Sequence, residues 1–132
     1  MRANYFLVSL LAVGSIAAFS PALTAHHSVS AEFDLTKPIE FDGTVKKVLW
    51  MNPHIYTEVE AKGPDGNMVV YRVEGGPPNS LYRSGWRADA VKPGDKVHVK
   101  GNRAKSATSF NVGQAQMTTA DGRRIFAGNA EQ

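Results

Sequence analysis

The chain has 132 residues, with 15 Lys and Arg against 12 Asp and Glu, and no cysteine. That length supports one hydrophobic core and is too short for two. A net charge of +3 selects no polyanionic partner, and the lack of cysteine excludes disulfides, thiolate metal sites and thiol nucleophiles.

Residues 1–25 read as a secretory signal peptide. Arg2 gives a short positive start, residues 5–19 are almost wholly apolar, and Ser20-Pro-Ala-Leu-Thr-Ala25 supplies the small residues of a cleavage region. The apolar run is shorter than the roughly 18 residues of a spanning helix. No cysteine follows it, which excludes a lipoprotein anchor. The expected location is periplasmic or secreted, with no membrane attachment once the leader is removed. An exported domain without disulfides depends on its core alone, which suits a compact β-barrel better than a loop-rich scaffold.

His26-His27-Ser28 would open the mature chain, followed by an arm over residues 26–36 anchored by Phe33. Lys37-Pro38 punctuates the start of the first strand. Ile39, Phe41 and Val45 alternate with polar residues, the period-two pattern of a half-buried strand. Past Lys46-Lys47 the phase flips to Val48 and Trp50, which requires one extra residue and predicts a bulge near Lys46. Met51-Asn-Pro-His54 is a tight corner, because Pro53 fixes its own φ and holds Asn52 out of the helical region.

The second strand is expected over residues 54–61, with Ile55, Thr57 and Val59 inward and Tyr56, Glu58 and Glu60 outward. Gly63-Pro-Asp-Gly66 is turn chemistry, and residues 67–74 form a third strand. Gly75-Gly-Pro-Pro78 ends this meander. Pro78 suits the first turn of a short helix through Ser84, with Gly85 closing it and Trp86 beneath the barrel. Lys92-Pro-Gly-Asp95 turns into a fourth strand with Val97 and Val99 inward and His98 outward. The fifth strand, residues 110–118, changes phase around Gly113, and Asp121-Gly122 makes a small hairpin into Arg123-Arg-Ile-Phe126. Residues 127–132 read as a disordered tail. The chain is therefore expected to be all-β, β-rich with one short helix. Residues 37–126 would form a small OB-like antiparallel barrel of five to six strands.

His26-His-Ser28, the Glu-Phe-Asp of the arm, Gly43-Thr-Val, Trp50-x-Asn-Pro-His54, Gly85-Trp86 and Lys92-Pro-Gly-Asp95 together resemble a family of small exported bacterial proteins, the one catalogued as domain of unknown function 6152. The resemblance spans essentially the whole mature chain. It implies an exported single domain and supplies no activity, so functional expectations rest on the residues.

Histidine makes the sharpest constellation. With His26 as the first residue, its α-amino group and imidazole could chelate one metal ion. An imidazole from His27 or His54 would complete an all-nitrogen set suited to Cu(II), and Met51 would offer a soft ligand for Cu(I). Cleavage after Ala22 instead would remove that amine from the motif. The plainer alternative leaves His26 and His27 solvated and His54 bonded to the turn backbone. Trp50 and Trp86 are expected as core, or as walls of a small apolar pocket. The Asn52 side chain is expected to close an Asx-type turn, and His98 to be an ordinary surface residue.

Outward carboxylates at Glu40, Asp42, Glu58 and Glu60 stand where a nucleic-acid groove needs lysine, arginine and stacking aromatics, so no nucleic-acid partner is expected. No nucleophile elbow, metalloprotease, P-loop or dinucleotide motif is present, and no catalytic set can be completed. The sequence thus reads as a non-enzymatic exported binding or accessory module. Its ligand or protein partner would be met at Trp50, Asn52, His54 and Trp86 with the N-terminal arm. The alternative is a copper-binding protein using His26, His27, His54 and Met51.

Overall fold

The structure is a computed structural model and describes residues 29–126. The expected leader, His26, His27 and the tail 127–132 lie outside the described residues. In order, the elements are α1 (Val29–Glu32), β1 (Phe33–Leu49), β2 (Tyr56–Lys62), β3 (Met68–Glu74), α2 (Pro78–Arg83), β4 (Lys96–Ala104), β5 (Asn111–Thr119) and β6 (Arg124–Phe126). The strands follow the order β3-β2-β1-β4-β5-β6, and β3 also pairs with β5. That extra pairing is parallel, through Arg72 with Asn111 and Val73 with Val112. It closes β1, β2, β3, β5 and β4 into a ring with α2 between β3 and β4, the arrangement of an OB-type barrel.

β1 is the spine, pairing with β4 through its first part and with β2 through its second. The change of partner falls at a bulge between Val45 and Lys47, where the phase slip in the sequence requires one. The turn Lys92-Pro-Gly-Asp95 secures it: Val45 N–H donates to the Asp95 carbonyl (2.9 Å), and Gly94 N–H donates to the Val45 carbonyl (2.8 Å). Gly43 lies just before the bend because β1 and β2 nearly touch there. A Cβ at Gly43 would stand 2.5 Å from Val59 and 2.7 Å from the Glu60 carbonyl oxygen.

β1 begins earlier than the sequence reading placed it, and a four-residue helix precedes it. The reason is Phe33, which is buried and pairs across to Ala104, drawing the end of the arm into the sheet. Pro38 is tolerated inside the strand. Val45 directs its backbone groups at the β4 side, so by alternation Pro38 faces away from β4, where no ladder bond is lost.

Ile55, Val59, Tyr71, Val73, Val97, Val99, Val112, Ala115 and Met117 fill the barrel, and Leu81 and Trp86 close one end. Full burial of an aliphatic side chain contributes about 1.5–3 kcal/mol, so this interior holds the fold without cross-links. Thr57 is wholly buried among them, and its hydroxyl has no partner. α2 starts with Pro78 in its first turn and ends at Gly85 (φ 93°). Gly85 N–H donates to the Tyr82 carbonyl (3.1 Å) and Trp86 N–H to the Leu81 carbonyl (2.8 Å). This is a Schellman closure, and it aims Trp86 into the core. β5 changes phase at Gln114, which has φ 47°, beside Gly113. No helix among the described residues is long and apolar enough to cross a membrane.

Candidate functional site

The corner 50–54 leaves β1 at a stack of two indoles. Trp50 and Trp86 lie with ring centroids 5.9 Å apart and planes 10° from parallel. Trp86 is 7% exposed, and Trp50 is half-buried against the core. The rings do not wall a pocket between them; they pack on each other. Beyond Trp50, Met51, Asn52 and Pro53 are exposed, and the Asn52–Pro53 peptide is cis. The expected Asx-type bond is not formed: Asn52 makes no side-chain hydrogen bond among the described residues. Its amide is exposed, so water satisfies it.

His54 does not bond the turn backbone. Its Nδ1 is paired with Oε1 of Glu74 at the end of β3. Glu74 sits there because β2 and β3 place it opposite Tyr56, two residues after His54. Burial pushes the Glu74 carboxyl above the ordinary carboxylate range, while His54 pulls it back and Glu32 adds a further upward push. Burial likewise raises the Tyr56 hydroxyl, helped by Glu74 and opposed by Arg72. The Arg72 guanidinium lies 4.2 Å from the centroid of the Tyr56 ring. With Nδ1 engaged by a carboxylate, Nε2 is the His54 nitrogen left for a ligand.

The N-terminal side of the chain arrives at this same surface. Glu32 accepts a hydrogen bond from the Asn111 side chain (3.0 Å), and its charge is felt at both Glu74 and Tyr56. His26 and His27, six and five positions before Glu32, are outside the described residues. Among the described residues, no group of three or more His, Asp or Glu side chains is placed to hold a metal ion.

His98 is not the ordinary surface residue expected from its outward position. Its Nδ1 lies 2.8 Å from Asp42 and its Nε2 2.9 Å from Glu40, and Lys100 meets the same Glu40 at 3.0 Å. Hydrogen bonds to Lys100 and His98 help hold the Glu40 carboxyl below its usual range. The cross-strand register, Asp42 with His98 and Glu40 with Lys100, assembles the cluster. Alternation alone put the three on outer faces without showing that they meet. Two clefts are also present. One of about 800 Å3 opens beside Asp42, Thr44, Glu60, Lys96 and His98, and one of about 530 Å3 lies beside Trp86, Arg124 and Ile125. Neither is lined by Trp50, Asn52 or His54.

Residues 12–113 match the model of a family described as a family of unknown function, DUF6152. The chain belongs to this family. No curated protein and no solved structure matches it. Two of the motifs that carried the resemblance, Trp50-x-Asn-Pro-His54 and Gly85-Trp86, are far apart in sequence. The indole stack brings them into one contact. A third, Lys92-Pro-Gly-Asp95, holds the bend of β1 from which that corner projects.

Proposed function

We propose that this family member is an exported, non-enzymatic binding module that meets a protein partner or small ligand at the corner 50–54 together with the arm that begins at His26. The observation that carries the reading is the way the corner is mounted. Stacking on Trp86 fixes Trp50, and Glu74 fixes His54, while Met51, Asn52 and Pro53 between them are exposed. A surface held at both ends loses little conformational entropy when it is covered, which favours recognition. The leader-like residues 1–25 support a periplasmic or secreted setting. Acidic outer residues at Glu58 and Glu60 support a partner other than nucleic acid. A photo-crosslinking side chain placed at Met51 of the exported protein should trap a discrete adduct. The same group at Asp65, on the β2–β3 turn, should not. Equal labelling at both positions would overturn the reading.

A second reading, copper binding, is favoured by the orientation of His54. A carboxylate on Nδ1 is the usual partner of a metal-binding imidazole that coordinates through Nε2. Glu32, six residues after His26 in the chain, is near enough to Glu74 for its charge to be felt there. Those two residues, His54 and the soft thioether of Met51 would then share one ion. Copper chemistry would be limited to binding and hand-over, with the α-amine of His26 as the decisive donor.

A further inference from the structure

β3 presents one of the open edges of the sheet, and its direction follows from the ladder. Gly63 N–H donates to the Asn67 carbonyl and Gly75 N–H to the Ile55 carbonyl, both at 2.7 Å. Hydrogen-bonded pairs alternate along an antiparallel ladder, so the odd-numbered residues of β3 bond to β2. Met68, Val70 and Arg72 therefore turn their N–H and C=O groups away from β2. Arg72 N–H is taken by the Phe110 carbonyl (3.1 Å), where β5 joins. Those of Met68 and Val70 meet no strand among the described residues.

Exposed edges are normally guarded by charge, proline or a bulge. The open side of β1 follows that rule. By the same alternation its unpaired groups belong to Pro38, Glu40 and Asp42, and the two carboxylates are tied to His98. β3 does not follow it. Met68 is 59% exposed and Val70 45% exposed, and both lie on the outer face of the strand.

We propose that the edge of β3 at residues 68–70 is a docking site for an extended polypeptide segment with alternating apolar residues and a carboxylate at the end beside Met68. Only an extended backbone offers acceptors and donors at the two-residue spacing of Met68 and Val70. Its outward apolar side chains would lie beside those of Met68 and Val70. Charge selects one end. Lys62 stands opposite Met68, and Arg103 is near enough to Tyr71, whose hydroxyl donates to the Lys62 carbonyl, for its charge to be felt there. Lys62 and Arg103 form no ion pair among the described residues. On the same strand as Lys62, Glu60 is met by Lys46 at 3.5 Å and Glu58 stands opposite Arg72. Three residues of edge are too short to hold a second globular copy by themselves, since stable interfaces bury about 800 Å2 per partner.

The test is a titration of isotope-labelled protein with a blocked heptapeptide of alternating valine and threonine ending in glutamates, followed through backbone amide shifts. The amides of Met68 and Val70 should move most and that of Val69 less. Val70→Pro, which removes an N–H that the β2 ladder does not use, should weaken the peptide about tenfold. Val70→Lys, a guard that leaves the backbone intact, should weaken it as well. Unmoved Met68 and Val70 amides, equal binding of a lysine-ended peptide, or undiminished binding by both variants would overturn the proposal. Shifts that follow the protein's own concentration instead of the peptide's would assign the edge to a second copy and also overturn it.

Discussion

The Phe33 ring occupies the space where a side chain on Gly113 would begin. A Cβ there would lie 2.4 Å from two ring carbons. The first residue of β1 is thus fastened through an absence of atoms on β5, and the ring covers Gly113, which is buried. Gly113→Ala should expel the ring or force the strands apart, costing about 1–3 kcal/mol, the usual range for overpacking. Chemical denaturation measures this. An unchanged midpoint would mean that Phe33 is not held where the structure places it.

Trp86 carries the other end of the barrel. Trp86→Ala removes the stacking partner of Trp50 and opens a cavity in the core cluster that holds Leu81, so a loss of about 3–5 kcal/mol is expected. Tryptophan fluorescence during unfolding reads it directly. A loss below about 1 kcal/mol would contradict the burial.

The Thr57 hydroxyl is buried without a partner. A valine of nearly the same shape would remove that unmet polar group, so Thr57→Val should stabilise the fold by about 1 kcal/mol, within the range for an unsatisfied buried donor. A destabilised variant would show that the hydroxyl does have a partner in solution.

Glu74 makes stability depend on acid. Its carboxyl is raised above 4.5 in the folded chain, chiefly by burial. The folded state therefore binds the proton more tightly than the unfolded state. The resulting stabilisation is fully present below pH 4.5 and is lost as pH rises through the folded value. Glu74→Gln, which cannot ionise, should match the wild type near pH 4 and gain on it as pH approaches neutrality, with thermal midpoints as the measure. A wild type that gains on the variant as pH rises would show that the His54 contact outweighs desolvation.

Copper titration separates the two functional readings. Protein beginning at His26 should bind one Cu(II), more weakly as pH falls, because its amine and imidazole donors must be deprotonated to coordinate. One extra residue before His26 should weaken binding sharply, because it takes the amine out of the chelate ring. His54→Ala should weaken it less, and His98→Ala should change nothing, since both ring nitrogens of His98 already face carboxylates. Equal weak binding by all four proteins would remove the copper reading and leave the binding-module reading standing.

Much of the barrel was legible because its strands obey local rules. The inward set Ile55, Thr57 and Val59, the bulge at Lys46 and the helix stop at Gly85 each follow from period, phase or a single φ. The pairs that define the candidate site were not legible, because they depend on register between strands. Nothing within the corner announces Glu74, which meets His54 only through the β2–β3 ladder. The two carboxylates on His98 are likewise visible only once β1 is laid beside β4. The sequence marks Phe33 as an anchor. It does not mark the strand that Phe33 begins, since Pro38 punctuates the sequence without breaking the sheet.

The parallel seam between β3 and β5 rests on two residue pairs joining strands that α2 and all of β4 separate in the chain. Two pairs are a short seam, and Arg72 N–H, held by the Phe110 carbonyl, is its first bond after the open groups of Met68 and Val70. An opening of the seam would free the backbone of Arg72 and lengthen the bare edge that begins at Met68. The joint that closes the ring and the bare margin of β3 are therefore one continuous line, so a guest strand on that margin would lie end to end with β5.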